Sequence, residues 1–242
     1  MADYKSQQIK NLLNFERDKQ SILSQLTPID VLDKGFIKLI NFWGTDLEIV
    51  NAARVSFNKR QGKLEDKDLS LIDYLAKNNH WTPFGHCGFT FHFKMPIFVA
   101  RQFMRSNVGI VYNEISRRYV DTKPEFYEPK WRERVTNKKQ GSGEEISVDD
   151  TLAKAHVINS VEVYNSLLKQ NVAPEIARAV LPVSMYTEFY ATMSLMAAFR
   201  VFKLRIHPHA QKEIRDYAKG IDEYGKLVFP ESWKGLLIYH KE

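Results

Sequence analysis

The residues best suited to bind an anion lie in one segment of the chain, RQFMRSNVGIVYNEISRRY, which runs from Arg101 to Tyr119. Its four arginines are Arg101, Arg105, Arg117 and Arg118. Guanidinium groups donate paired hydrogen bonds to phosphates and planar carbonyls. Asn113, Glu114 and Ser116 lie among the arginines, so donors and acceptors alternate, as a ligand site requires. The charge pattern alone fits a solvated basic edge equally well.

The segments before these arginines must position them. From Cys87 to Met95, aromatic and polar residues alternate, which predicts a half-buried strand of an antiparallel sheet. Cys87 shares the phase of the buried phenylalanines, so we expect a packed thiol rather than a nucleophile. Pro96 then begins a helix in which Arg101 and Arg105 share a face. Asn107 to Gly109 break that helix, and we expect a polar loop to lead on to Arg117.

The rest of the chain predicts an α+β fold with a mainly antiparallel sheet flanked by helices. Val31 to Trp43 reads as two short strands. Helices are expected from about residues 46, 69, 149, 174, 195 and 209, and Phe229-Pro230 should end the last one. We divide the chain into an N-terminal helical arm, residues 1–27, and a single domain, residues 28–242.

Composition limits the possible partners. The 242 residues carry a formal charge of +6, which suits nucleic acid or phosphorylated small molecules. Cys87 is the only cysteine, so internal disulfides are excluded, and no His, Cys or Asp spacing resembles a metal site. The sequence has neither an apolar run of membrane-spanning length nor a secretory signal. We therefore expect a cytoplasmic protein with no membrane partner and no bound metal.

Several runs resemble the flavin-dependent thymidylate synthases. Asn113–Tyr119 (NEISRRY) matches the second half of that family's signature. In the first half, Arg105-Ser106-Asn107 stands where Arg-His-Arg is usual, and the spacing to Ser116 is one residue longer. Three further runs match in order: Ala53–Phe57 (ARVSF), His80–Phe84 (HWTPF) and Leu204–Gln211 (LRIHPHAQ). The resemblance covers the chain from about residue 31 to residue 227.

The resemblance implies reductive methylation of dUMP to dTMP, without an enzyme cysteine nucleophile. FAD and NADPH would be the cofactors, methylenetetrahydrofolate the co-substrate, and a homotetramer with active sites between subunits the assembly. The implied dUMP-binding residues are Gln102, Arg105, Glu114, Ser116, Arg117, Arg118, Arg178 and Arg205. The implied cofactor-binding residues are Ser56, His80, Thr82, Arg105, Ser106, Asn107, Glu114, Ser194, Arg200 and His209. Arg205, at the pyrimidine edge, is the implied catalytic residue.

Two alternatives remain open. A related flavin-dependent enzyme, such as a hydroxymethylase, would let water capture the methylene intermediate. A nucleic-acid-binding protein would use the basic face, but the sequence has no groove-reading motif, so we expect no nucleic-acid partner.

We also hypothesise that Ser106 and Asn107 supply neutral hydrogen bonds to the flavin while Arg200 supplies charge.

Overall fold

The computed structural model describes residues 19–21, 23–119, 122–136 and 141–240. Its strands are β1 (Ile29–Val31), β2 (Gly35–Trp43), β3 (Gly88–Pro96), β4 (Ile110–Glu114) and β5 (Tyr186–Ser194). Its α-helices are α1 (Asp46–Arg54), α2 (Asp66–Lys77), α3 (Ile97–Phe103), α4 (Thr151–Lys169), α5 (Pro174–Ala177), α6 (Leu195–Ile206), α7 (Lys212–Val228) and α8 (Pro230–Tyr239). Short 3-10 helices occupy Val55–Phe57, Pro83–His86 and Arg178–Val180.

The strands form one sheet in the order β1-β2-β3-β5-β4, and every neighbouring pair is antiparallel. β3 and β5 pair along their whole length, from Gly88 opposite Ser194 to Pro96 opposite Tyr186. The predicted α+β class and antiparallel sheet are therefore confirmed. Both central strands lead directly into helices, β3 into α3 and β5 into α6, and these helices carry the candidate site residues.

The core lies between one face of the sheet and helices α6 to α8. Phe91 and Phe93 of β3 are fully buried, and their rings pack against Tyr224 and Tyr217 of α7 at centroid distances of 5.7 Å and 6.4 Å. Cys87 lies in the same phase and is fully buried, as predicted. Burial of these large aromatic side chains fixes how the helices dock on the sheet.

The predicted N-terminal arm falls largely outside the described residues. Within it, residues 19–21 and 23–25 are helical, and Leu23 is buried in the core. Residues 1–18 and residue 22 are among those that the structure does not describe. In the described part of the chain, no helix is both long and apolar enough to cross a membrane.

Two predictions around the arginine segment are wrong. The polar loop expected after Gly109 is instead strand β4, because Ile110 is buried and the strand pairs with β5 from Ile110 opposite Met193 onward. The helix also ends earlier than expected. α3 stops at Phe103, and the Ser106 amide closes a turn onto the Phe103 carbonyl, so Arg105 does not continue the helix face of Arg101.

The prediction that Phe229-Pro230 ends the last helix is incomplete, because Pro230 also opens α8. Proline is well tolerated at the first position of a helix, where its missing N–H has no partner to lose. The buried carboxylate of Asp46 accepts hydrogen bonds from the amides of Glu231 and Ser232, at 3.1 Å and 3.0 Å. This long-range cap joins residues far apart in the chain, so no local pattern predicts it.

Candidate active site

The candidate residues after β4 line a cleft at the edge of the sheet, which we call the strand-edge cleft. Its volume is about 550 Å³. Its polar lining residues are Lys94, Glu114, Ser116, Arg117, Arg118, Thr122, Lys123, Glu125, Arg178, Thr187 and Glu188. Five of the predicted substrate-binding residues therefore share one cavity, namely Glu114, Ser116, Arg117, Arg118 and Arg178.

The arginines of the strand-edge cleft are held by groups close to them in sequence. Arg117 donates to the Thr122 carbonyl at 2.6 Å, and Arg118 donates through Nε to Ser116 Oγ at 3.1 Å. Arg178 donates through Nε to a carbonyl one turn earlier, that of Glu175, at 3.2 Å. None of these acceptors is a carboxylate, so the three guanidinium groups keep their charge available for an anion.

Glu114 faces the same cleft from the last position of β4. Its carboxylate accepts a hydrogen bond of 2.6 Å from the hydroxyl of Thr187, which is buried on β5. Strand pairing therefore fixes the carboxylate among the arginines. Sequence reasoning missed Thr187. A prediction that β4 pairs with β5 would have placed Thr187 close to Glu114, but that pairing was not predicted.

A second cavity, which we call the helical cleft, lies between α6 and the turn after α3. Its volume is about 1100 Å³. Its polar lining residues are Gln102, Arg105, Ser106, Arg132, Ser142, Arg200, Lys203, Arg205, His207, His209 and Gln211. Six of them are predicted site residues, namely Gln102, Arg105, Ser106, Arg200, Arg205 and His209. Positive charge again dominates the lining, which suits an anionic ligand.

Arg205 is a partly buried cation of the helical cleft whose Nη2 makes two hydrogen bonds. Its Nη2 donates to the Gln102 carbonyl at 2.5 Å and to Ser106 Oγ at 3.4 Å. Burial lowers the pKa of Arg205, and the nearby charge of Arg105 lowers it further. Its Nε is buried and has no hydrogen-bond partner among the described residues. A buried donor without a partner is costly, which makes this side chain ready to bind a ligand.

Arg132 also reaches the helical cleft, and sequence reasoning missed it. Its Nη2 pairs with the buried carboxylate of Glu213 at 2.7 Å, and Tyr127 donates to the same oxygen at 3.3 Å. Burial raises the pKa of Glu213, but the hydrogen bonds that its carboxylate accepts, the one from Arg132 first among them, together with the charge of Arg132 outweigh burial, and the pKa is lowered. This buried pair fastens the long connection between β4 and α4 to the start of α7.

The residues predicted to lie beside a flavin form a third, exposed group. Ser56 lies in the 3-10 turn after α1, and His80 and Thr82 lie just before Pro83–His86. The Arg200 guanidinium lies over the Trp81 ring at 5.6 Å, which joins this group to the helical cleft. Arg54 and the fully buried Asp68 form an ion pair that anchors the turn carrying Ser56.

The structure thus brings the predicted residues together in groups rather than in one place. No described residue lines both clefts, and within one chain Arg178 is separated from Arg105 and Arg205. Asn107 is exposed in the turn before β4 and lines neither cleft. Ser194 caps α6, since its hydroxyl accepts from the Ala197 amide at 3.2 Å. The described residues contain no group of three or more His, Cys, Asp or Glu that could hold a metal ion.

Comparisons with known sequences match this chain to one family of proteins. The family model described as "Thymidylate synthase complementing protein" matches residues 38–231. The flavin-dependent thymidylate synthase of Thermosipho africanus is 43% identical over 218 residues, covering 86% of this chain and 93% of that protein. The enzyme of the same name from Thermus thermophilus is 44% identical over 208 residues, covering 85% of this chain and 76% of that protein.

A structural comparison agrees. The crystal structure of the UMP/dUMP methylase PolB from Streptomyces cacaoi, bound with 5-Br UMP, superposes with a TM-score of 0.77. The identity is 29%, and the match covers 88% of this chain and 98% of that chain. The chain therefore shares the fold of that methylase, an α+β fold built on one antiparallel sheet. The chain belongs to the thymidylate synthase complementing protein family.

Proposed function

We propose that this protein methylates dUMP reductively to dTMP. Methylenetetrahydrofolate is the carbon donor, FAD the hydride carrier and NADPH the reductant. The observation that carries the proposal is the strand-edge cleft, where residues 114–118 of the NEISRRY run and Arg178 line one cavity. The relatives named flavin-dependent thymidylate synthase, and the neighbour bound to a brominated uridine nucleotide, support the same chemistry.

The strand-edge cleft suits the phosphate and sugar of a nucleotide. Arg117, Arg118 and Arg178 present donors to a dianionic phosphate, and Ser116 adds a hydroxyl. Glu114, fixed by Thr187, offers an acceptor for a sugar hydroxyl or a ring N–H. Ser116 is a binding group in this proposal, because its hydroxyl already accepts from Arg118 and no described histidine lines the cleft as a base.

The helical cleft suits the pyrimidine edge and the flavin. Its volume of about 1100 Å³ is large enough for a cofactor. Within the described chain, the buried and unpartnered Gln102 Oε1 and Arg205 Nε are a free acceptor and a free donor, and the cations Arg105 and Arg200 complement a pyrophosphate. The residues present therefore fit an anionic dinucleotide. The residues that would hold it are Arg105, Ser106, Arg200 and His209. The dinucleotide would extend past Trp81 to contact His80 and Thr82.

The chain's own contribution to chemistry is electrostatic. C5 of uracil is a weak carbon nucleophile, and Arg205 would stabilise charge developing at N3 and O4, which increases electron density at C5. A bound flavin would supply the hydride that completes the methyl group. Alignment of the reactants by the two clefts supplies much of the remaining acceleration. Cys87 takes no part, since burial raises the pKa of its thiol to about 12.

A complete site requires both clefts, and we propose that two copies of the chain provide them within a homotetramer. The separation of Arg178 from Arg205 within one chain supports this. Helix α4 supports it too, because Leu152 and Ile158 are exposed by 85% and 62% although both are apolar. Exposed apolar side chains on one helix are typical of a subunit interface.

The primary test is incubation of the purified protein with dUMP, methylenetetrahydrofolate, FAD and NADPH, followed by mass analysis. We expect a nucleotide heavier than dUMP by one CH2. A product heavier by CH2O would identify a hydroxymethylase instead. No product with all of these reactants present, from a protein that remains folded, would contradict the proposal. Omitting the folate is the matched control.

Mixing two impaired variants tests the shared site, provided that dUMP is kept well below the raised KM of Arg178→Ala. Under that condition Arg178→Ala is impaired in the strand-edge cleft through weaker dUMP binding, and Arg205→Ala is impaired in the helical cleft. If each site draws on two chains, refolding the variants together restores about a quarter of the native activity, because random pairing completes that fraction of sites. If each chain carries a whole site, the mixture is no more active than the average of its two components.

A further inference from the structure

We propose that Ser106 and Tyr112 position Arg205, so that strand β4 sets the geometry of the helical cleft. This inference rests on the proposed function for its catalytic consequence, but its structural content does not. It makes both residues positioning residues, since they act through Arg205. It also gives Ser106 a role other than the flavin contact expected from its place in the signature.

The first step is the contact between Ser106 and Arg205. Ser106 Oγ accepts a hydrogen bond from Arg205 Nη2 at 3.4 Å, beside the 2.5 Å bond from the same nitrogen to the Gln102 carbonyl. Two acceptors on one nitrogen restrict rotation of the guanidinium group about its last bonds. Since the described residues offer Nε no partner, these two bonds alone orient the charged end.

The second step is the contact that holds Ser106. The Tyr112 hydroxyl donates to the Ser106 carbonyl at 2.5 Å. Burial raises the pKa of Tyr112 to about 12, so the hydroxyl keeps its proton and remains a donor at working pH. The Ser106 amide also bonds the Phe103 carbonyl at 3.0 Å, so the backbone of Ser106 is fixed on both sides.

The third step is the rigidity of Tyr112 itself. Tyr112 pairs with Ala191 in the sheet, and its ring packs against Phe103 and Phe189 at 6.3 Å and 6.0 Å. The end of α3 and the central strand β5 therefore both contact this ring, which projects from the edge strand β4. A displacement of β4 would move Tyr112, then Ser106, and finally the guanidinium group of Arg205.

The test has an arm that needs no enzyme activity. Phenylglyoxal modifies accessible guanidinium groups, and peptide mass spectrometry gives the rate at each arginine. We expect Arg205 to react several-fold faster in Ser106→Ala and in Tyr112→Phe than in the native protein, with Arg178 unchanged as an internal reference. Val108→Ala is the matched control, because this side chain lies in the same turn and is 70% exposed. Equal Arg205 rates in all variants would overturn the inference.

The second arm measures turnover. Ser106→Ala should lower kcat about 5- to 10-fold with a smaller change in KM for dUMP, because a hydrogen bond to a charged group is lost. Ser106→Thr, which keeps the hydroxyl, should restore most of kcat. In an Arg205→Lys background, Ser106→Ala should cost less than about 2-fold, since the two residues act as one unit. The same loss in both backgrounds would show that Ser106 acts independently of Arg205, and would overturn the inference.

The two arms separate the two proposals. If the native protein makes no dTMP but Arg205 becomes more reactive as expected, the positioning stands and the proposed function fails. If turnover is normal and neither Arg205 reactivity nor kcat responds to Ser106→Ala, the function stands and the positioning fails. Unchanged urea unfolding midpoints in all variants would confirm that global destabilisation does not cause either result.

Discussion

Among the described residues, five lysines and arginines line each of the two clefts, but only the strand-edge cleft also has glutamates in its lining, and the two sets of arginines are held in different ways. In the strand-edge cleft, Arg117, Arg118 and Arg178 bond to groups five, two and three residues away in sequence. In the helical cleft, Arg205 bonds to groups 103 and 99 residues away. The first set is therefore oriented by its own segment, and the second depends on the tertiary fold. Disturbing the fold should thus affect the helical cleft first.

Strand β4 is the element that the two clefts share. The turn before it, which carries Arg105 and Ser106, lines the helical cleft, and its last residue, Glu114, lines the strand-edge cleft. Five residues of extended chain span about 17 Å. If two copies combine their clefts, one strand in each copy contributes to two different sites.

The largest effect is expected from Arg205→Ala. Loss of an oriented charge at the developing anion should lower kcat about 10²- to 10³-fold. Steady-state kinetics would measure this, with equilibrium binding of dUMP as the companion measurement. Arg205→Lys keeps the positive charge but not the paired donors of the guanidinium group, and its kcat should lie between those of the native protein and Arg205→Ala. A nearly native kcat for Arg205→Ala would assign catalysis to another residue.

A smaller effect, mainly on binding, is expected from Arg178→Ala. The variant should raise KM for dUMP about 10- to 100-fold, because it loses a charge-assisted hydrogen bond to an anion, with little change in kcat. The difference between native and variant should shrink as salt is added, since screening weakens exposed charges. Arg134→Ala is a suitable control, as Arg134 is exposed and lines neither cleft. Equal KM changes in both variants would argue for nonspecific electrostatics.

Gly109→Ala tests whether the turn before β4 matters for stability, for activity or for both. Gly109 has φ of +74°, and a Cβ there would lie 3.3 Å from Ala197 Cβ on α6. We expect a loss of about 1–2 kcal/mol in the free energy of unfolding, measured with urea, from the left-handed backbone alone. Gly62→Ala is the matched control, because a Cβ there meets no described atom within 4 Å. A stable Gly109→Ala with reduced kcat would show that the turn matters for function rather than folding.

The sequence predicted the features that depend on local patterns and missed those that depend on contacts between distant segments. Alternation in β3 and the phase of Cys87 were local patterns, and both predictions are confirmed. β4 was missed because Asn113 and Glu114 gave its short edge strand a polar character, and only pairing with β5 makes it extended. Thr187, Arg132 and the Asp46 cap were missed because their partners lie far away in sequence. The sequence could name the arginines but could not divide them between two clefts.

The smallest effect on activity is expected at Cys87, which lines neither cleft. Burial raises the pKa of its thiol to about 12, and the nearby carboxylates of Glu48 and Asp46 contribute to that increase. The thiol therefore stays protonated up to strongly alkaline pH, whereas a nucleophile must be a thiolate. Cys87→Ala should keep kcat within about 2-fold and lose roughly 1 kcal/mol of stability from the small cavity. Suppose that Cys87→Ala has the same urea midpoint of unfolding as the native protein and binds dUMP normally, yet makes no dTMP. The thiol would then take part in the reaction, and the reacting groups would include a core residue outside both clefts.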